Sequence, residues 1–210
     1  MTKVHVNASR SYDIIIGSGL LDNAGGYISA AIPSRHVCVV TDDNVDMLYS
    51  ATVLDSLGSS GFSSEKFVFP HGEASKCHKT LIELYDFLAE KGFTRSDALI
   101  ALGGGVVGDL TGFAAASYMR GIGFVQIPTT VLAQTDSSVG GKTAVDIAGG
   151  KNLVGAFYQP QLVLCDTDTL KSLTPEFFAD GMAEVVKYGM IKSAELFELL
   201  STEDIHANIE

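Results

Sequence analysis

Apolar and polar positions alternate at the start of the chain. Val4 and Val6, then Tyr12, Ile14 and Ile16 before Gly17, predict two strands joined by a polar turn over residues 7–11. A β-branched run over 36–41 predicts a third strand, ending in Asp42-Asp43-Asn44. A helix is predicted over 46–57, stopped by Gly58 and Gly61, and then a brief strand over 67–69 closed by Pro70. The clearest amphipathic helix covers 75–91, with Leu81, Leu84, Tyr85 and Leu88 on one stripe and Gly92 as its stop. Residues 98–102 form a wholly apolar strand running into Gly103, 109–119 a small-residue helix, and 123–127 and 162–165 two further strands. Short apolar strands separated by helices predict an α/β fold, a mostly parallel sheet covered on both faces.

Beyond residue 170 the pattern changes. Thr174-Pro175 reads as an N-cap followed by proline at the first helical position. Helix continues through 191, Ser193 opens another, and no further strand is predicted. The expected organisation is an α/β domain over 1–170 and, over 171–210, the first helices of an all-α domain cut short.

Composition narrows the function. Lys plus Arg number 14 against 25 Asp plus Glu in 210 residues, a net charge of −11 that repels nucleic acid and anionic membranes. An anionic small molecule would need basic residues clustered against that field. Cys38, Cys77 and Cys165 make an odd count without a Cys-x-x-Cys pair, as expected of thiols in a reducing cytoplasm. The N-terminus lacks the basic and apolar regions of a signal peptide, and no apolar run is long enough to span a bilayer.

Twelve of the 22 glycines lie between Gly103 and Gly155, which predicts that the middle of the chain wraps a ligand. Gly103-Gly-Gly105-Val-Val-Gly108-Asp109 matches G-x-G-x-x-G after a strand and before a helix, where backbone N–H groups approach a pyrophosphate. A tight turn without ligand is the other reading. Unlike the usual dinucleotide fingerprint, the turn comes a hundred residues in, and the candidate ribose acid, Asp42, lies upstream. Lys142 and Lys151 sit in glycine-flanked apolar surroundings and read either as phosphate or carboxylate ligands or as exposed loop lysines. Gly140-Gly-Lys142-Thr is not a Walker A loop, because position 136 is Asp where that motif needs glycine. Glu184 and Lys187 share a helix face three residues apart, and read either as a surface ion pair or as a metal-binding carboxylate beside a substrate-binding cation.

Four blocks, running in order from Gly103 to Gly189, closely resemble the 3-dehydroquinate synthases: Gly-Gly-Gly-Val-Val-Gly-Asp-Leu, Ile-Pro-Thr-Thr-Val-Leu-Ala-Gln-Thr-Asp-Ser-Ser-Val-Gly-Gly-Lys, Gly-Lys-Asn-Leu-Val-Gly-Ala-Phe-Tyr-Gln-Pro and Gly-Met-Ala-Glu-Val-Val-Lys-Tyr-Gly. The resemblance extends upstream through Asp42-x-Asn44 and Gly72-Glu-Ala-Ser-Lys76, and covers the first part of the family's length. It implies a Rossmann-like NAD-binding domain and a shikimate-pathway lyase of aromatic amino acid biosynthesis. Such an enzyme converts 3-deoxy-D-arabino-heptulosonate 7-phosphate, a small phosphorylated sugar acid, to 3-dehydroquinate and phosphate with catalytic NAD and a zinc or cobalt ion. It further implies a cytoplasmic homodimer with no nucleic acid or membrane partner.

By matching position, the resemblance assigns Asp42, Asn44, His71, Gly72, Glu73, Ala74, Ser75 and Lys76 to the adenosine side of NAD; His71 stands where the family commonly has Asp. Gly104, Gly105, Val106, Val107, Gly108 and Asp109 would approach the pyrophosphate, with Thr129, Thr130 and Leu132 beyond it and Thr169, Leu170, Lys171 and Ser172 closing over the nucleotide. Lys142 and Lys151 would serve cofactor and substrate; Asp136, Asn152 and Lys187 the substrate; and Arg120 the substrate phosphate of a partner subunit. Glu184 matches a metal ligand, whereas none of His5, His36, His71, His78 and His206 matches the family's two ligand histidines. The chain alone is therefore expected to be inactive. The other readings are a related sugar-phosphate cyclase and an NAD-binding module without turnover.

Overall fold

The computed structural model describes residues 1–203 and residue 205; His206 lies outside them. The order is β1 (Thr2–Val6), β2 (Tyr12–Gly17), α1 (Ala24–Ala31), β3 (His36–Asp42), α2 (Asp43–Val45), α3 (Ala51–Ser59), β4 (Ser63–Phe69), α4 (His78–Glu90), β5 (Ala98–Gly103), α5 (Gly105–Ser117), β6 (Gly123–Pro128), β7 (Lys142–Ile147), β8 (Gly150–Phe157), β9 (Leu162–Asp166), α6 (Pro175–Lys192) and α7 (Ala194–Thr202). A π-helical turn, Asp46–Ser50, joins α2 to α3, and another covers Ala133–Ser137.

Seven strands form one sheet in the order β1-β2-β9-β6-β5-β3-β4. All its pairings are parallel except β1 with β2. The fold is thus Rossmann-like α/β with helices at the end. The sheet's central strands are buried on both faces, so successive side chains feed two different cores. Val37, Val39, Ile100 and Leu102 pack with Ile28, Val53 and Leu57 of α1 and α3. Cys38, Val40, Leu99 and Ala101 pack with Leu84 and Leu88 of α4 and Leu110 and Ala114 of α5 on the other face. This continuous burial explains why β3 and β5 read as unbroken apolar runs.

Two elements depart from the sequence reading. Residues 142–157 form an antiparallel hairpin, β7 with β8, rather than loops. Helix α1 covers a segment whose adjacent glycines, Gly25 and Gly26, carry no helical signal. Boundaries also shift. Helix α5 starts at Gly105 and α4 at His78, and β4 reaches back to Ser63. At the C-terminal end the caps agree with expectation. Thr174 Oγ1 accepts from Phe177 N–H, and Ser193 Oγ from Leu196 N–H.

Candidate functional site

Strand order explains where a ligand can sit. From β3 the chain crosses outward to β4, then returns to place β5 on the other side of β3, so connections leave β3 and β5 in opposite directions. That reversal opens a crevice at the strands' C-terminal ends. Thr41 pairs with Leu102, which sets Asp42 beside Gly103, and Phe69 pairs with Asp42, which brings the 71–76 loop alongside. Pro128 pairs with Gly103, so Thr129 and Thr130 follow on the opposite flank. Residues 169–172 are tied across the same edge, where Tyr49 donates to Ser172 Oγ at 2.6 Å and to Thr169 C=O at 3.1 Å. Asp42, the 71–76 loop, Thr129, Thr130 and residues 169–172 therefore share one rim.

Helix α5 begins in this crevice with Gly104 as N-cap and no side-chain cap. Its first-turn N–H groups are left to face an anion. A Cβ on Gly104 would come within 3.2 Å of Thr130 Cγ2, and one on Gly105 within 3.2 Å of Ser137 Oγ. Glycine thus keeps the turn open to a ligand's approach. Val107 contributes backbone only, because its side chain is fully buried in the core. Asp42 accepts from the N–H groups of Asn44 and Val45 at 3.0 and 2.9 Å, which fixes its carboxylate at the head of α2.

The other crowded glycines serve packing. A Cβ on Gly112 would lie 2.3 Å from Thr143 Cγ2, and one on Gly155 2.0 Å from Thr143 C=O. Gly112 lets the β7–β8 hairpin lie against α5, and Gly155 lets β8 close on β7. Thus the glycine-rich middle divides between an uncapped helix start and close element contact.

Lys76 is the electrostatic centre. It is 5% exposed, and its Nζ lies 2.8 Å from Asn152 Oδ1, 3.2 Å from Glu73 Oε1 and 3.3 Å from Asp109 Oδ2. Burial pulls its pKa down, but Asp109 and Glu73 outweigh this and leave it raised. Asp109 behaves oppositely. Burial pushes its pKa up to about 6, and Lys76 offsets only part of that. Exposed Lys151 reaches Glu73 at 3.3 Å. A cavity of about 470 Å³ adjoins this cluster, lined among others by Asp109, Asp136, Ser137, Lys142 and Asn152.

Asp136 is held by Tyr188 of α6, whose hydroxyl donates to Asp136 Oδ1 at 2.7 Å. The carboxylates of Asp136 and Glu184 raise the tyrosine's pKa. Glu184 is in turn ion-paired with Lys187. Sequence reading missed Tyr188, although its place four residues after Glu184 puts both on one helix face.

Some expectations are not brought together. Arg120 is exposed, with φ of 65°, in the turn between α5 and β6, at the N-terminal end of β6, whereas the crevice lies at the strands' C-terminal ends. Among the described residues no group of three or more His, Cys, Asp or Glu is arranged to hold a metal, so Glu184 alone does not build a catalytic zinc site. His5, His36 and His71 are engaged with Asp13, Asp97 and Asp43. Cys38 and Cys165 are buried, their thiols pushed up to about 12 by desolvation. No helix among the described residues is long and apolar enough to cross a membrane.

Comparison with known proteins places this geometry. Residues 66–180 match the 3-dehydroquinate synthase N-terminal family. The 3-dehydroquinate synthase of Streptococcus suis is 50% identical over 203 residues, covering 96% of this chain and 57% of that protein. That of Clostridium botulinum is 48% identical over 205 residues, covering 96% and 59%. The chain spans somewhat more than half the length of these relatives. Among solved structures, 2-deoxy-scyllo-inosose synthase complexed with carbaglucose-6-phosphate, NAD+ and Co2+ superposes with a TM-score of 0.84 at 31% identity, covering 90% of this chain and 52% of that one. The 2-epi-5-epi-valiolone synthase of Streptomyces hygroscopicus, with NAD+ and Zn2+ bound, gives 0.83 at 31%, covering 94% and 54%. With over half of its residues inside the family match, and with strand order, glycine turn and lysine cluster in one crevice, the chain belongs to the 3-dehydroquinate synthase family.

Proposed function

We propose that this chain is the NAD-binding part of a 3-dehydroquinate synthase, a lyase that converts 3-deoxy-D-arabino-heptulosonate 7-phosphate to 3-dehydroquinate and phosphate. The observation that carries this reading is the uncapped N-terminus of α5, set in the β3–β5 crevice beside Asp42 and opening toward a lysine-bearing cavity. NAD, when bound, supplies reversible oxidation of a substrate hydroxyl, which acidifies the neighbouring carbon and permits loss of phosphate. The chain's own groups do the rest. Backbone N–H groups of residues 105–107 receive the pyrophosphate, and Asp42 accepts from a ribose hydroxyl. Lys142 and Asn152 hold the phosphorylated sugar acid at the cavity they line, Lys151 serves cofactor and substrate from beside Glu73, and Asp136, kept in place by Tyr188, faces the substrate's hydroxyls. Preorganised contacts of this kind stabilise charge developing on oxygen.

The metal is a separate matter. Glu184 is a carboxylate ligand of the right chemistry but stands alone among the described residues. We infer that the 210-residue chain binds NAD without turning over. Residues 171 onward then begin a second, helical domain, and Arg120 serves a partner subunit's substrate. On this reading the protein works in the cytoplasm as a homodimer.

Calorimetric titration of the chain with NAD tests the reading. Saturable binding is expected, and no heat at millimolar NAD would remove the turn at 103–109 from its role. No phosphate release is expected from this chain when it is assayed with NAD and zinc on several sugar phosphates. Release from any of them contradicts a module without turnover, and release from another sugar phosphate alone would favour a related cyclase. The curated relatives' identity near 50%, against 31% for the two cyclases of known structure, favours dehydroquinate synthase.

A further inference from the structure

The hairpin carries a residue that none of these assignments uses. Asp146 sits where the β7–β8 register shifts, between Val145 and Ile147. Its backbone N–H donates to Lys76 C=O at 2.8 Å, forming a bridge between the hairpin and the 71–77 segment. Its carboxylate Oδ1 accepts the backbone N–H of Asn152 at 2.8 Å. Asn152 has φ of 57°, a left-handed conformation that a non-glycine residue holds only when its surroundings hold it there. In that conformation Asn152 Oδ1 accepts from Lys76 Nζ at 2.8 Å. One aspartate thus closes a ring through Lys76 and Asn152.

The ring stands between two spaces. Asn152 lines the 470 Å³ cavity assigned to the sugar phosphate, while Asp146 and Lys76 line a second, of about 500 Å³, beside Glu73 and the start of α4. We propose that Asp146 is a positioning residue that holds Asn152 in its left-handed turn, so that Asn152 and Lys76 form the shared wall between cofactor crevice and substrate cavity. Its assignment to cofactor and substrate rests on the function proposed above; the geometry does not. What Asp146 must supply is an acceptor oxygen at one place. Its Oδ1 lies 4.0 Å from Lys76 Nζ, farther than Glu73 or Asp109, so Lys76 does not depend on it for countercharge.

That distinction makes the test. Asp146→Asn keeps an acceptor and removes the charge, and Asp146→Ala removes both. In the 210-residue chain, hydrogen exchange read by NMR should show the Asn152 amide protected in the wild type and in Asp146→Asn, and unprotected in Asp146→Ala. NAD affinity by calorimetry should fall about tenfold in Asp146→Ala, the loss expected when a backbone N–H is left without its acceptor, and stay within about twofold in Asp146→Asn. In an Asn152→Gly background, where the contact to Lys76 is already gone, Asp146→Ala should have no further effect. Wild-type affinity in Asp146→Ala overturns the proposal. So does an Asp146→Asn variant as weak as Asp146→Ala, which would make charge the operative property. If the wild-type chain takes no NAD, the functional reading fails, and the exchange pattern alone decides whether Asp146 positions Asn152.

Discussion

Asp109 and Lys76 are the residues whose titration and burial should be felt most. Burial raises the Asp109 carboxyl from 3.8 to about 6, so the folded state binds this proton more tightly than the unfolded chain does. Its contribution therefore favours folding at low pH and declines as pH rises from about 4 to 6. Partly buried Asp13 and exposed Asp43 act in the opposite sense. Held low by Lys3 and by His71, they contribute stability that is lost only as pH falls through the range below 3.8, so the two windows separate. Asp109→Asn should flatten the decline of the urea midpoint between about pH 4 and 6, and an unchanged slope would show that Asp109 is not the source. Lys76→Met leaves Asp109 facing Glu73 and Asp146 without their shared cation. A loss of about 3–5 kcal/mol in denaturant unfolding is expected. Lys76 was legible in the sequence only through resemblance. Nothing local to Gly72-Glu-Ala-Ser-Lys76 tells that its ammonium will be buried against residues 33 and 76 positions away.

Helix α6 is tied to the site through one phenol. Tyr188→Phe removes the donor to Asp136 Oδ1 and leaves a half-buried carboxylate without that bond. The variant should lose about 1 kcal/mol in chemical unfolding, and the amide signals of 133–137 should shift while those of 104–108 do not. Equal shifts at both places would mean that α6 is not specifically coupled to that turn. Helix α5 meets the hairpin through Gly112. Gly112→Ala puts a methyl 2.3 Å from Thr143 Cγ2 and 3.0 Å from the Phe124 ring. Overpacking of about 1–3 kcal/mol should exceed the helical gain from alanine, so the thermal midpoint should drop. Elements with a strong local signal were readable. The α4 stripe, the Thr174-Pro175 start of α6 and the apolar run of β5 each carry their own period, cap or length. The β7–β8 hairpin was not, because Gly149-Gly150 and the glycines at 140, 141 and 155 look like loop until the strands find one another.

At the scale of the whole molecule, a net charge of −11 surrounds two adjoining cavities that Lys142 and Lys76 line, with Lys151 beside them on Glu73. A ligand bound there links directly to folding. At NAD concentrations a hundred times the dissociation constant the chain should gain about 2.7 kcal/mol, seen as a concentration-dependent rise in thermal midpoint. A midpoint indifferent to NAD would contradict the proposed cofactor site. The sequence by itself determined the α/β class, the turn at 103–109 and the family, because strands buried on both faces, a glycine run after a strand and four ordered motif blocks are written contiguously along the chain. Strand order was left to the tertiary structure, and with it the meeting of Asp42 with Gly103, the ring through Asp146, Asn152 and Lys76, and the hold of Tyr188 on Asp136. Apart from Asp146 with Asn152, these contacts join residues 52 to 76 positions apart, and their geometry depends on which strands lie side by side, a choice made by burying both sheet faces at once rather than by any local pattern.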